Sequence, residues 1–247
     1  MRRAVAVIGA LTTSLVACGD DSADPPVQGG LDDGALGGSA RTLVLARTQL
    51  TERPQGRLVW AADETRLEPR ETIAHRHELS FVYVRHGSLS LGGAGRRKSL
   101  GVGDGAAVDP SLRHRHEGGS EGAVFWEVRL ARPGSPPPPG ARRVFESEAL
   151  EGIPSPGEAS MIEVTVPPRG GRTTVHTHPG PEFIYELSGR IDYQNAIIGT
   201  RRLGPGGAEG IPPDTAVQKR NPFARPAKFL SFFLVDPDRP FAPMARF

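Results

Sequence analysis

Apolar residues along this chain fall in short alternating runs rather than in helical stripes. The first half reads TLVLA at 42–46, RLVWAA at 57–62, FVYVR at 81–85, SLSL at 88–91, GAAVD at 105–109 and VFWEVRL at 124–130. The second reads SMIEVTV at 160–166, FIYELS at 183–188, RIDY at 190–193 and FLSFFLV at 229–235. Runs of this length, rich in β-branched and aromatic residues and bounded by Gly, Pro and Asp, predict strands. So many of them predict an all-β chain built as sandwiches or barrels of jelly-roll type. The only helix-like stretch is FESEALE at 145–151.

The two halves repeat each other. His75-Arg76-His77 matches His176-Thr177-His178, FVY at 81–83 matches FIY at 183–185, Gly87 matches Gly189, and LGVGDGAAVDP at 100–110 matches LGPGGAEGIPP at 203–213. The offset holds at roughly 100 to 103 residues with the order kept, which indicates an internal duplication. PGSPPPPGA at 133–141 is a proline-stiffened linker between them. The expected organisation is a leader over 1–17, a flexible Gly/Asp/Ser/Pro tether over 18–40, an N-terminal barrel over 41–132 and a C-terminal barrel over 142–247.

Composition narrows the partners and the compartment. With 30 basic and 28 acidic residues the net charge is +2, and no basic patch interleaved with aromatics suggests nucleic-acid binding. The 31 Gly and 24 Pro suit short strands and tight turns. Arg2 and Arg3 precede an apolar run over 4–17, too short for a membrane span and placed as an export signal is. Leu15-Val16-Ala17-Cys18 resembles the bacterial lipoprotein lipobox, which implies a lipidated Cys18 at the mature N-terminus and attachment to an envelope membrane on its non-cytoplasmic side. Cys18 is the single cysteine, so no disulfide can form within one molecule.

Six of the seven histidines stand in HxH pairs: His75/His77, His114/His116 and His176/His178. Residues i and i+2 of a strand share a face, so each pair can aim two imidazoles into a barrel lumen. Neutral imidazole is the commonest ligand of divalent transition metals. The remaining histidine, His86, is expected at a solvated turn.

Residues 170–189 resemble the first cupin motif at every fixed position: Gly170, His176, His178, Glu182 and Gly189. The second cupin motif is only partly present, since Gly207 and Pro213 fit while Gln218 stands where histidine is usual. In the first half His75 and His77 fit, Ser80 takes the glutamate position, and His114 or His116 supplies a third imidazole. The resemblance covers 41–247 and implies a bicupin, two tandem cupin-type jelly-roll (double-stranded β-helix) barrels. It also leaves room for a homodimer.

The resemblance implies a metal set of His176, His178 and Glu182, with Gln218 as a weak fourth ligand or a partner for metal-bound water. The first barrel offers His75, His77 and His114 (or His116) without an acid. Fe is the expected ion, with Mn, Ni or Zn as other candidates, at one per chain and favouring the C-terminal barrel. Glu186 shares a face with Glu182 and Ile184, as a second carboxylate near the metal or as partner to a wall arginine. Phe183, Tyr185 and Leu187 share the opposite face and are expected to pack between barrels. Two functions follow: a dioxygenase-type oxidoreductase acting on a small organic molecule, in which Glu182 and Gln218 take part, or a non-catalytic ligand-binding or sensing lipoprotein. The acid/base pair of a metal-independent sugar epimerase is not found.

Overall fold

The computed structural model describes residues 31, 35–50, 55–76, 78–93, 96–108, 110 and 113–247. The leader, Cys18 and His77 lie outside the described residues. The expectation of an all-β chain holds, and no helix occurs among the described residues. FESEALE is a strand end and extended chain, because the Phe145 side chain is drawn into the core between the barrels.

The first half contributes β1 (Arg41–Leu50), β2 (Val59–Leu67), β3 (Thr72–His75), β4 (Ser80–Gly93), β5 (Arg96–Leu100), β6 (Gly105–Val108) and β7 (His114–Ala131). The second contributes β8 (Arg142–Glu146), β9 (Gly157–Val166), β10 (Gly171–Arg172), β11 (Glu182–Ser188), β12 (Ile191–Asn195), β13 (Gly199–Leu203), β14 (Ala208–Ile211), β15 (Val217–Asn221) and β16 (Ala227–Val235). The N-terminal barrel is one sheet in the order β5-β4-β7-β2-β8, with β3 on β7 and β6 on β4. The C-terminal barrel is two sheets, β1-β9-β16-β11-β14 and β10-β15-β12-β13.

Two strands cross the division expected at the proline-rich linker. β1 pairs along β9, from Arg41 opposite Thr165 to Leu50 opposite Gly157. β8 returns to pair with β2, Ala62 opposite Phe145. Charged clamps pin both. Arg47 Nε meets Glu158 Oε1 at 2.9 Å, and buried Asp63 takes Arg143 and Arg129, each at 2.6 Å. Each barrel thus holds one strand of the other half.

The tether is shorter than expected. Leu31, Ala35, Leu36 and Ala40 are buried in the C-terminal barrel's core, and the Thr174 amide donates to the Leu36 carbonyl at 3.1 Å. These apolar residues interrupt the otherwise polar segment and give it something to bury.

Strand alternation sorts side chains between two environments. On β11 and β16, Ile184, Phe229 and Phe233 enter the C-terminal lumen, while Phe183, Leu230 and Phe232 enter a layer between the barrels. Trp60 centres that layer, its ring 5.7 Å from Phe81 and 5.8 Å from Phe232. The expected packing role of Phe183, Tyr185 and Leu187 is met there.

The duplication is visible in backbone detail. Gly87 and Gly189 both have positive φ, 69° and 81°. A Cβ on either would lie 2.2 Å from the Gly122 carbonyl oxygen or 2.3 Å from that of Pro226. Only glycine fits these two equivalent close approaches.

Candidate metal centres

In the N-terminal barrel three imidazoles converge on one carboxylate. His75 and His114 face each other on β3 and β7, and His116 follows on the same face of β7. His75 Nε2 lies 3.1 Å from both oxygens of Glu127. His114 and His116 each bring Nε2 to 3.4 Å from Glu127 Oε1. The four residues form a group able to hold one ion. His116 is fully buried and stacked on Phe125, ring centroids 4.9 Å apart and 13° from parallel. Burial lowers its pKa and keeps it in the neutral form that ligates metals.

Glu127 is the acid that the sequence reading did not find. Counted by alternation from His116, it falls on the wrong face of its strand. The structure resets the count: Gly118 pairs with Leu89 and Ala123 with Gly87, so β7 carries three extra residues there. That odd insertion, which includes Gly122 at φ 76°, turns Ala123, Phe125 and Glu127 inward. A signal was present, since an acid inside the apolar run VFWEVRL is costly unless it is engaged.

The C-terminal centre brings together the three residues predicted for it and adds a fourth. His176, His178 and Glu182 are all buried and grouped. His176 donates its Nδ1–H to the Thr174 carbonyl at 2.9 Å and His178 its own to Phe241 at 2.8 Å. Both rings therefore turn Nε2 inward, and neither Nε2 has a hydrogen-bond partner among the described residues. Lys219 Nζ grips Glu182 at 2.8 and 3.0 Å, and Ser231 Oγ donates to the same carboxylate at 2.8 Å. Burial foremost and the Lys219 charge next push both imidazole pKa values down, that of His178 to about 3.

Gln218 is not in this centre. On β15 the buried positions are Val217, Lys219 and Asn221, so Gln218 faces outward and donates to the Thr173 carbonyl at 2.9 Å. The motif's histidine position was one residue out of register with the lumen. Glu186 lies four residues beyond Glu182 on β11, roughly 13 Å along the strand; among the described residues it belongs to neither metal group and its carboxylate bonds no arginine. Burial, offset a little by the Lys228 backbone, pushes its carboxyl up to about 8. His86 is exposed, as expected, but it lies within β4 opposite Val124, at a register shift rather than at a turn.

The centres correspond position by position. Ser80 and Glu182 each stand seven residues before the matched glycines Gly87 and Gly189. Across the ladder, Val82 pairs with Glu127 and Ile184 with Ser231, so Glu127 takes the place of Ser231. The carboxylate has moved to the neighbouring strand and serine fills the vacated position. His75 pairs with His114 as His176 bridges Val217, and two residues further on His116 corresponds to Lys219.

Access differs as well. A cavity of about 800 Å³ reaches His114 between β1, β4, β5 and β6. Among the described residues its charged lining is Arg47, Arg97 and Lys98, of which Arg47 pairs with Glu158 and Arg97 with Glu117, beside apolar Leu91, Ala106 and Val108. The C-terminal mouth is closed by the chain's end, where Phe241 and Ala242 enter the core and Thr177 and Ala245 exchange backbone bonds with Pro243 and Val175.

Residues 162–233 match the sequence family described as the cupin domain. Solved structures that match more than four fifths of the chain include oxalate decarboxylases. One from Bacillus subtilis, studied for its Mn(II) centres, is 20% identical over 83% of this chain and 74% of its own, with a TM-score of 0.52. Another, studied for proton-coupled electron transfer, is 18% identical over 86% and 80%, with a TM-score of 0.54. The fold is a bicupin. A search of curated protein sequences finds no match to this chain. The bicupin architecture places two centres in one molecule; among the described residues His114 of the first borders the cavity of about 800 Å³, while Glu182 of the second borders a smaller one of about 200 Å³.

Proposed function

We propose that this bicupin is a metal-dependent enzyme that works in its N-terminal barrel on a small organic anion. The observation that carries the reading is the convergence of three imidazole Nε2 atoms on Glu127 at the wall of a cavity lined by cations. Three neutral nitrogens and one carboxylate suit Mn(II) or Fe(II). When bound, such an ion supplies Lewis acidity and open positions for substrate and oxygen. The protein's own share is placement. Phe125 fixes the His116 ring, and Glu127 supplies the one negative charge. Lys98 hydrogen-bonds only the Gly105 carbonyl among the described residues, so no acid neutralises its pull on an anion. Leu91, Ala106 and Val108 supply the apolar part of the cavity wall.

Two reactions fit: oxygen-dependent cleavage of dioxygenase type, and decarboxylation of the kind named for the structural neighbours. Small mono- and dicarboxylates including oxalate, tested for oxygen uptake and CO2 release with the Mn- and Fe-loaded protein, separate them. Metal-dependent binding without turnover would favour the ligand-binding alternative. Protein that takes up no divalent metal would overturn the reading. We also propose export and anchoring through lipid on Cys18. Incorporation of labelled fatty acid, lost in Cys18→Ala, is the expected result.

A further inference from the structure

We propose that Lys219 is a built-in cation in the metal's place, so that the C-terminal centre takes no metal. Three observations carry this, and none depends on what the N-terminal barrel does. Lys219 stands where the duplication puts His116, so the ligand that would complete the set has been replaced by an ammonium group. That ammonium holds both oxygens of Glu182, at 2.8 and 3.0 Å, and Ser231 takes a further acceptor site at 2.8 Å. The carboxylate that would ligate a metal is therefore already engaged on both oxygens. Lys219 and Glu182 are fully buried, and the tail from Phe241 seals the mouth.

Charge decides between the two cations. The cluster offers one negative charge, which one ammonium balances. A divalent ion there would set two further positive charges beside Lys219 in a water-poor lumen, where like charges repel strongly. Two inward imidazoles and a carboxylate remain from an arrangement that suits a metal, and Lys219 converts it into a closed, charge-balanced polar core.

The test is a metal count on the full-length chain, produced in Mn- or Zn-supplemented medium and analysed by elemental mass spectrometry. Lys219→His, which supplies the residue of the first barrel, should gain one ion per chain over wild type, and His176→Ala in that background should remove it. Lys219→Ala, leaving two imidazoles and a free carboxylate, is the second variant, with the same gain expected. In the wild-type chain, His176→Ala should leave the metal count unchanged. A wild-type ion lost in His176→Ala overturns the proposal, and so does a folded Lys219→His chain that gains nothing. The gain is counted against wild type, so an empty N-terminal barrel, which would defeat the proposed function, registers separately as a count rising from zero to one.

Discussion

The two barrels carry a repeated sequence pattern and differ in the partner each gives its buried glutamate. Both keep a histidine in a cross-strand pair, His75 with His114 and His176 with Val217, both keep a positive-φ glycine at the matched position, and both bury one glutamate among imidazoles. In the first, the glutamate sits on β7 and faces three imidazoles beside an open cavity. In the second, it sits on β11 and faces a lysine under a closed mouth. A cupin centre thus tolerates relocation of its acid to the next strand, because adjacent strands present side chains at the same depth of the lumen. At the His116 position the second barrel has an ammonium in place of an imidazole, and its glutamate pairs with that ammonium instead.

The sharpest way to break this comparison is to neutralise each glutamate. Glu182→Gln leaves the Lys219 ammonium buried without its counter-charge and should cost about 3–5 kcal/mol, with metal content unchanged. Glu127→Gln removes one ligand and the only charge of the first centre. It should lower Mn or Fe affinity by about a hundredfold or more, beyond the 10–100-fold typical of losing a ligand's hydrogen-bond partner, with a smaller loss of stability in the metal-free protein. Chemical unfolding with calorimetric metal titration checks both. Equal effects of the two variants on metal binding would erase the distinction between the barrels.

Much of this was legible before any coordinates. Strand runs, the duplication and the meeting of His176, His178 and Glu182 follow from alternation and spacing, which are local properties. Glu127 was hidden by the three-residue insertion at Gly118–Ala123, since parity counting fails across an odd bulge. Lys219 was hidden by trust in motif spacing over alternation: Val217, Lys219 and Asn221 share a face, and Gln218 cannot join them. The exchange of β1 and β8 was beyond reach. Their apolar residues suit either barrel, and the choice rests on distant partners such as Glu158 and Asp63.

A second contrast concerns the depth of the lumen. Three residues before the matched glycines stand Val84 in the first barrel and Glu186 in the second, both buried. Burial raises the Glu186 carboxyl from 4.5 to about 8. Between those values the unfolded chain has released the proton while the folded chain retains it, so folding stability falls as pH rises from about 4.5 to about 8. Glu186→Val should remove that slope and raise stability at pH 8 by on the order of 3 kcal/mol, with little change at pH 4. Denaturant midpoints across the pH range measure it. A slope that survives the substitution would place the titration elsewhere.

The smallest expected effect separates the serines that filled the complementary places. Ser231 donates to the Glu182 carboxylate at 2.8 Å. A buried hydrogen bond to a charged group contributes about 1.5–3 kcal/mol, so Ser231→Ala should destabilise the protein by about 2 kcal/mol. Ser80, at the position of Glu182, is equally buried, but its hydroxyl has no hydrogen-bond partner among the described residues. Removing an unsatisfied polar atom recovers its desolvation cost, so Ser80→Ala should be neutral or slightly stabilising. Thermal and denaturant unfolding of the two metal-free variants side by side is the measurement. Matching losses would mean that Ser80 supports the Glu127 centre as Ser231 supports Glu182, and that the acid changed strands without its serine changing role.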